Sequence, residues 1–472
     1  MTDADMRYSR FERAAERAAA AITAAGDVLV VAHIDADGIC AAAIASRTLE
    51  RLGKRYDVHF EKKLDDASVD AINRSPASLV WLADLGSGYL TMITRPNVVV
   101  ADHHVPDPEW MTGQTSLFDF SGLIHVNPQD AGMDGAGEIS GAGVTYVISK
   151  KIDAKNADLA YLAVVGATGD VQDRSGSGLI GYNRKILNDA AENGDVEVID
   201  DLRLFGRETR PLTQFLQFCN DPVLLGLSSD GPGCSAFLSG LGIELKRNGS
   251  WRTWTDLGDS EKDEIKIALI DILTRSGCSA ERLMGEVCTL PKFKKGTELR
   301  DAKEFATILN SCGRYDDAHT GMRICLGDTD ALNEAAENRK EHRKQLAAAM
   351  SYIRQSGIIR KKKWIQYFHA RDEIRDTIVG IAANMLLGSD GIRNDIPMIA
   401  FANADDGVKV SARADKSLVE KGLDLSSAVK TAAEKVGGLG GGHNIAAGAT
   451  IPAGKEYEFL HIIEDLIEEQ LT

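Results

Sequence analysis

Apolar and polar positions in the first 175 residues follow a pattern that indicates strands and helices in turn. The strand candidates are short, apolar and rich in β-branched residues: GDVLVVAH, YDVHFEKK, SLVWLAD, NVVVADHH and GLIHVNP. The helix candidates carry apolar positions at helical spacing: GICAAAIASRTLERLG, GVTYVISKKI and DLAYLAVVGATGD. Strands that alternate with helices predict βαβ units, and therefore an α/β fold with a doubly wound parallel sheet.

The pattern changes after residue 200 and returns near the end of the chain. Residues 201–325 read as a mostly helical middle region, and residues 326–357 as a long linking helix that is polar nearly all round. The strand and helix pattern then resumes with WIQYFHA, TIVGIAANMLL, PMIAFAN, GVKVSAR and IAAGATI. We therefore predict a first α/β domain over residues 1–200 and a second, smaller α/β domain over residues 358–472.

Composition narrows the class of protein. Hydrophobic residues make up 44% of the chain and charged residues 26%, which is typical of a globular protein. Seven scattered cysteines without a CxxC pair argue against disulfides and structural zinc, and no segment resembles a signal peptide or a membrane span. We expect a cytoplasmic protein that does not bind a membrane. A net charge of −16 argues against a basic coat for duplex DNA, but it is compatible with a local basic groove.

Carboxylates and imidazoles follow three of the predicted strands, and a further carboxylate follows an apolar helix. They are His33, Asp35 and Asp37; Asp84; Asp102, His103 and His104; and Asp170. The carboxyl ends of parallel strands meet at one edge of a sheet, so we expect these side chains to share a crevice. So many carboxylates require cations to neutralise them. Mixed carboxylate and imidazole ligands suit Mn²⁺, with Mg²⁺, Fe²⁺ or Co²⁺ as competitors, and two such ions are the usual means of hydrolysing a phosphate ester. Taken singly, each residue could instead cap a turn, as Asp84 could before LGSG.

These motifs carry a family resemblance. HIDADG, LADLG, DHH and GATGD, in that order, resemble the four motifs of the DHH phosphoesterases, and GGLGGGHNIAAGATI resembles the GGGH motif of the companion DHHA1 substrate domain. The chain length, the HxDxDG form of the first motif and the large middle region resemble the archaeal RecJ-like exonucleases, including the GINS-associated nuclease. The resemblance also implies a relationship to the eukaryotic helicase-loading protein that has lost much of this metal site.

The resemblance implies a nuclease that uses two Mn²⁺ ions, with Mg²⁺ or Co²⁺ as alternatives, and trims single strands from an end. His33, Asp35 and Asp84 would hold one ion; Asp37, Asp84, His103 and Asp170 would hold the other, with Asp84 bridging. Asp102 would orient an imidazole. His104 would donate to a phosphate oxygen or protonate the leaving group, and the alternative is a purely structural hydrogen bond.

The second α/β domain contains a candidate substrate site. Glycines 440–442 would form an anion nest of backbone N–H groups, Gly441 and Gly442 included, with His443 directly after it. Arg413 resembles the family's phosphate-binding arginine. A flexible turn is the alternative reading of the glycine run. IIRKKKWIQYF and PKFKKG could each bind a single strand or be solvated boundaries.

Three functions are compatible with these observations. The first is a single-strand exonuclease for DNA or RNA in replication or repair. The second is a phosphodiesterase for short oligonucleotides or cyclic dinucleotides. The third is a replisome scaffold that binds GINS or the replicative helicase complex and for which catalysis is incidental. The extra middle region favours the first.

Overall fold

The structure is a computed structural model that describes residues 2–111, 122–173, 178–219, 222–279, 283–389 and 391–472. The chain divides into two compact units, residues 1–335 and residues 336–472. Each unit has its own sheet and its own hydrophobic core.

The N-terminal unit is built on a five-stranded parallel sheet in the order β2-β1-β3-β4-β5. Its strands are β1 (Asp27–His33), β2 (Arg55–Glu61), β3 (Leu79–Ala83), β4 (Val98–Ala101) and β5 (Leu123–Val126). Its helices are α1 (Asp3–Ala24), α2 (Ala36–Arg51), α3 (Asp66–Arg74), α4 (Pro108–Met111), α5 (Gly141–Ile152), α6 (Ala160–Gly169) and α7 (Gly181–Glu192).

The central strands are buried on both faces, which is why they are apolar without interruption. On β3, Trp81 packs into the core formed with α1, α2, α5 and α6, whereas the next residue, Leu82, packs into the core on the α3 side. Successive side chains of a strand point to opposite faces, so a strand covered on both sides needs apolar residues at every position. The predicted doubly wound parallel sheet is confirmed.

The middle region is mostly helical, as predicted, but it also contains strands that the sequence pattern did not indicate. Its helices are α8 (Leu212–Gln217), α9 (Gly231–Gly240), α10 (Asp259–Arg275), α11 (Ala302–Arg314) and α12 (Ala318–Cys325). Its strands are β6 (Glu197–Leu202), β7 (Lys246–Arg247), β8 (Ser250–Trp251) and β9 (Met284–Thr289). The two strands of the antiparallel pair β6 and β9 are separated in sequence by most of the middle region, so no local sequence pattern predicts their pairing.

The long helix α13 (Thr329–Ser356) leads into the C-terminal unit, as predicted. This unit has a six-stranded, mainly antiparallel sheet in the order β10-β11-β12-β13-β15-β14. Its strands are β10 (Arg360–Lys361), β11 (Gln366–His369), β12 (Met398–Ala404), β13 (Gly407–Arg413), β14 (Leu439–Gly442) and β15 (Ala446–Ile451). Its helices are α14 (Asp376–Leu386), α15 (Lys416–Val419), α16 (Leu425–Lys435) and α17 (Glu456–Leu471). Among the helices of the described residues, none is both long enough and apolar enough to cross a bilayer.

Buried charged groups stabilise the packing of the middle region. Asp201 accepts hydrogen bonds from Arg207 at 2.6 Å and from Trp254 Nε1 at 2.8 Å. Nearby, Glu304 on α11 is only 1% exposed and accepts a hydrogen bond from the backbone N–H of Glu208 at 2.8 Å. Burial raises the pKa of Glu304 to about 7. This carboxyl is therefore a source of pH-dependent stability.

We expect the Glu304→Gln variant to lose less stability than the wild type as the pH rises. The folded-state pKa of Glu304 lies above the unfolded value, so folding favours the protonated form, and its contribution disappears as the pH rises through 7. A shift of this size corresponds to at most about 3 kcal/mol. The measurement is the free energy of unfolding by urea at pH 5, 6, 7 and 8. Glu264→Gln, an exposed carboxyl on α10, is the control and should follow the wild type. Parallel curves for all three proteins would contradict the assignment.

Candidate metal centre

The predicted polar residues meet at the carboxyl edge of the parallel sheet. β1, β3 and β4 are neighbours in the sheet. β1 ends at His33, and Asp35 and Asp37 follow at the start of α2. Asp84 follows β3, and the DHH sequence at 102–104 follows β4. Asp170 comes directly after the last residue of α6.

Three groups within this set have ligand atoms that all lie within 4.8 Å of one another. One group is His33, Asp35 and Asp84; a second is Asp37, His103 and Asp170; and a third is Asp84, Asp102, His103 and His104. The first two groups match the two ligand sets that the family resemblance implies, apart from the sharing of Asp84. Asp84 contacts both sets, because its Oδ2 lies 3.6 Å from His33 Nδ1 and its Oδ1 lies 3.3 Å from His103 Nε2.

Asp84 occupies an unusual backbone position. Its φ is 63°, in the left-handed region that only asparagine, aspartate and glycine adopt readily, and its N–H donates to the carbonyl of Ala101 on β4. The side chain is 1% exposed. Burial acts to raise its pKa, but the nearby imidazoles of His103 and His33 prevail and lower the pKa of Asp84 to about 2. The carboxylate is therefore charged and held between two cationic or metal-binding partners.

Asp37, in the first turn of α2, is buried against the N-terminus of α5. Its two carboxyl oxygens accept hydrogen bonds from the backbone N–H groups of Gly141 at 2.6 Å and Ala142 at 3.1 Å. Burial raises its pKa well above the usual range, and the charge of Asp84 raises it further. Two opposing influences therefore act on Asp37, since helix N-terminal N–H groups favour the carboxylate whereas burial beside other acids disfavours it. A nearby cation would resolve the conflict in favour of the carboxylate.

The imidazoles of the cluster are oriented by the backbone and by acids. His103 Nδ1 donates to the carbonyl of Gly135 at 2.7 Å, which directs Nε2 toward Asp84, Asp37 at 3.9 Å and Asp170 at 3.8 Å. Burial acts to lower the pKa of His103, but Asp84 raises it well above its usual value. In the same way, Asp35 and Asp84 overcome burial and raise the pKa of His33 to about 11. The carboxylates thus favour the protonated form of both imidazoles.

Asp102 has a different role from its neighbours. Its Oδ2 accepts from the N–H of Ser87 at 2.8 Å, and its Oδ1 accepts from the N–H of His103 at 2.8 Å and from His104 Nδ1 at 2.8 Å. Both oxygens are thus engaged with the polypeptide. The hydrogen bond to Asp102 raises the pKa of His104, whose side chain is 55% exposed. Asp102 therefore positions His104 and favours its protonated form.

Glycines create the space in which the cluster lies. A Cβ at Gly141 would come within 2.2 Å of Asp84 Oδ1, and one at Gly166 would come within 2.4 Å of Asp37 Oδ1. A Cβ at Gly135 would lie 2.0 Å from the carbonyl oxygen of His103. A side chain at Gly141 or Gly166 would displace a carboxylate, and one at Gly135 would displace the backbone of His103, so the backbone itself lines the site.

The donor set fits divalent cations. Oδ1 of Asp84 and Nδ1 of His33 are buried, and among the residues that the structure describes neither finds a hydrogen-bond partner of acceptable geometry. A buried polar atom without a partner is costly, and a metal ion would satisfy both. Carboxylates and imidazoles in this mixture are typical ligands of Mn²⁺, Fe²⁺, Co²⁺ and, for the carboxylates, Mg²⁺.

The C-terminal unit brings Arg413 and His443 to the same end of its sheet. Arg413 ends β13 and pairs with Ala446, whose carbonyl accepts from the N–H of His443 at 2.8 Å. The guanidinium of Arg413 donates to the carbonyl of Ala412 at 2.7 Å, and burial lowers its pKa. Among the described residues no carboxylate forms an ion pair with it. A Cβ at Gly380 would come within 2.8 Å of Arg413 Nη2, so the absence of a side chain at this glycine leaves space for the guanidinium.

The predicted anion nest at glycines 440–442 is wrong in its conformation. These residues belong to the edge strand β14, which pairs antiparallel with β15 through Gly441 and Gly442. A nest requires successive N–H groups to converge on one point, whereas an extended strand alternates them. The glycines instead leave this edge free of side chains, and nothing lies within 4 Å of a Cβ built at Gly441.

Acids pair with some of the lysines in the two basic runs. Lys362 and Lys363 pair with Glu464 at 2.6 Å and Glu468 at 2.8 Å on α17. In the other run, Lys292 lies 3.8 Å from Asp195. Their paired charges favour the interpretation of both runs as solvated boundaries.

Sequence reasoning missed several residues that support the cluster. Gln172 donates to Asp170 Oδ2 at 2.8 Å and to the carbonyl of Gly135 at 3.0 Å, and its own carbonyl accepts from Asn183 at 2.6 Å. Ser87 holds Asp102 through its backbone. Gln172 lies two residues after Asp170, which is a usable signal, but the contacts of Asn183 and Gly135 join segments that are distant in sequence.

Three family models match consecutive parts of the chain. The DHH family, N-terminal domain, matches residues 27–166, the DHH-CID domain matches residues 204–286, and the DHHA1 domain matches residues 360–469. The first match contains every residue of the metal cluster except Asp170, and the third contains Arg413 and His443. The middle match begins just after β6 and ends within β9.

Individual proteins are similar over most of the chain. An uncharacterized protein of Methanocaldococcus jannaschii, MJ0831, is 28% identical over 451 residues, which are 94% of each chain. The crystal structure of Cdc45 from Entamoeba histolytica has a TM-score of 0.62 at 12% identity and covers 99% of both chains. RecJ of Thermus thermophilus in complex with Mn²⁺ has a TM-score of 0.55 at 16% identity; the match covers 97% of this chain and 55% of RecJ. These structures share the fold. The chain thus contains a DHH, a DHH-CID and a DHHA1 domain in this order, and it has a RecJ-like fold.

Proposed function

We propose that this protein is a metal-dependent exonuclease that hydrolyses phosphodiester bonds in single-stranded DNA or RNA. The observation that carries the proposal is the complete cluster of four buried or half-buried carboxylates and two imidazoles at one sheet edge, with Asp84 in contact with both halves. Such a cluster is what two-metal hydrolysis of phosphate esters requires.

Two Mn²⁺ ions are the proposed cofactors, with Mg²⁺ or Co²⁺ as alternatives. His33, Asp35 and Asp84 would hold one ion, and Asp37, Asp84, His103 and Asp170 the other. RecJ of Thermus thermophilus, which shares the fold, has been crystallised with Mn²⁺, and this supports the choice of metal. Bound there, the ions would supply a nucleophile from water at neutral pH and neutralise the charge that develops on the phosphoryl oxygens.

His104 is the proposed proton donor. Its Nδ1 is fixed by Asp102, and its half-exposed side chain lies beside the cluster. The hydrogen bond to Asp102 raises the pKa of His104 and so favours the protonated imidazole. In the reaction Nε2 would donate to a phosphate oxygen or to the leaving oxygen as the ester bond breaks. Asp102 holds the ring and stabilises its positive charge.

The C-terminal unit is the proposed substrate-binding part. Arg413 has a guanidinium without an acidic partner among the described residues, and His443 is exposed at the same sheet end. Both would bind phosphates of the strand. Gly441 and Gly442 would let the strand approach the backbone of β14 closely.

Two other functions remain candidates for testing. A phosphodiesterase of short oligonucleotides or cyclic dinucleotides would use the same cluster, and it is distinguished by equal activity on long and short substrates. The fold shared with Cdc45 supports a second alternative, a replisome scaffold that binds GINS or the helicase complex. The complete acidic set favours an enzyme over a scaffold, because a scaffold gains nothing from carboxylates that repel one another.

Asp84→Asn should abolish hydrolysis of single strands and weaken Mn²⁺ binding at least a hundredfold. Asparagine tolerates the positive φ and keeps the side-chain shape, so the fold should survive while the shared charge is lost. The measurements are digestion of end-labelled DNA and RNA strands and calorimetric titration with Mn²⁺. His104→Gln is the matched control: it should keep Mn²⁺ binding but reduce turnover by about 10²–10⁴-fold. Near wild-type turnover of the Asp84→Asn protein would show that the metal assignment is wrong.

Arg413→Gln should raise the KM for a single strand by about 10- to 100-fold, the usual effect of losing a hydrogen bond to a charged group. Mn²⁺ binding and kcat should change little, because the residue lies outside the metal cluster. Arg393→Gln removes an arginine of the same unit that is paired with Asp395, and it should behave as the wild type. An unchanged KM, or loss of bound Mn²⁺, would count against this role for Arg413.

A further inference from the structure

A further basic feature lies on the N-terminal unit. It is an open groove between α1 and the segments around β5. One wall carries Arg10, Arg13 and Arg17 of α1, and the opposite side is formed by Trp110, His125, Asn127 and Asp130. We call it the α1 groove.

Basic and acidic side chains lie on different sides of α1. Arg10, Arg13 and Arg17 fall within an arc of about 60° at roughly 100° per residue. Glu12 and Glu16 point elsewhere and pair with Lys151 at 3.0 Å and 2.8 Å. In the part of the chain that the structure describes, no acid pairs with the three arginines. The protein as a whole has a net charge of −16, but this row of arginines would attract an anion locally.

The other side of the groove is aromatic. Trp110 is partly exposed and meets His125 edge to face, with ring centroids 5.8 Å apart. His125 itself is buried and is held by Asp130, whose Oδ2 lies 2.6 Å from Nδ1. Guanidinium groups opposite an aromatic ring suit a single nucleic-acid strand, which offers phosphates to one side and bases to the other.

Hydrogen bonds join this groove to the DHH sequence. Asn127 Nδ2 donates to the carbonyl of His104 and to Ser87 Oγ, both at 2.9 Å. His125 Nε2 lies 3.0 Å from the same Ser87 Oγ, and the N–H of Ser87 donates to Asp102. The wall of the groove is thus directly bonded to the segment that carries His103 and His104.

We propose that the α1 groove binds the phosphates of single-stranded nucleic acid a few nucleotides from the bond that is cut. This inference rests on the proposed function, and it assigns to the groove the part of the strand that lies away from the bond that is cut. Arg10 and Arg17 are about 10 Å apart along the helix, enough to contact two or three successive phosphates. An acidic peptide is the other polyanion that the arginines could bind. The aromatic wall and the bonds to the DHH segment favour the nucleic acid.

The test is a triple substitution, Arg10→Gln, Arg13→Gln and Arg17→Gln. The side chains are exposed, so the melting temperature should not change. We expect the Kd for a fluorescent single-stranded 12-mer, measured by anisotropy in EDTA so that the strand stays intact, to rise at least tenfold. The slope of log Kd against log salt should become shallower by about 2, since each lost phosphate contact contributes roughly 0.7. Hydrolysis of a dinucleotide in Mn²⁺, which is too short to reach the groove, should stay within twofold of the wild type.

The matched control removes three positive charges elsewhere: Arg74→Gln, Arg275→Gln and Lys340→Gln, which are 79%, 78% and 73% exposed. It should bind the 12-mer within twofold of the wild type. Equal binding by the groove variant and the control would overturn the groove assignment and leave the proposed function intact. Groove-dependent binding of the 12-mer without any cleavage by the wild type would support the groove and overturn the nuclease. Unchanged 12-mer binding together with lost affinity for a polyglutamate peptide would assign the groove to an acidic protein, and the proposal would be wrong.

Discussion

Carboxylates that repel one another are held together at one edge of the parallel sheet. Asp35, Asp37 and Asp84 meet there because β1 and β3 are adjacent and parallel and therefore end at the same place, and Asp170 joins them from the end of α6. Their charges can coexist in a buried position only with cations between them. The two imidazoles, with their raised pKa values, meet part of that need, and bound metal ions would meet it fully.

The groups that surround the charged cluster are mainly backbone groups. Glycines at 141 and 166 bring backbone against the carboxylates, the N-terminus of α5 donates to Asp37, and the positive φ of Asp84 turns its side chain into the crevice. Asp102 is the exception, since its oxygens are occupied by N–H groups and by His104. The DHH sequence thus combines a buried imidazole that faces the carboxylates with an imidazole that is fixed by an acid and is half exposed.

Much of this could be predicted from the sequence, for physical reasons. Buried parallel strands are apolar at every position, so β1, β3 and β4 are visible as runs, and the polar residues that follow them are conspicuous. The features that were not predicted depend on long-range geometry. The pairing of β6 with β9, the support of Gln172 by Asn183, and the placing of the α1 arginines opposite Trp110 all arise from segments that meet only in the folded protein. The glycine run at 440–442 was misjudged because glycine permits both a nest and a strand, and only its pairing with β15 decides between them.

The central claim is that the cluster holds two divalent cations that share Asp84. Anomalous diffraction at the manganese edge, from crystals grown with Mn²⁺, tests this without reference to any substrate. If two cations share Asp84, we expect two anomalous peaks about 3.5–4 Å apart, both within bonding distance of its carboxylate. A single peak, or peaks that lie away from Asp84 at other acidic groups, would contradict it.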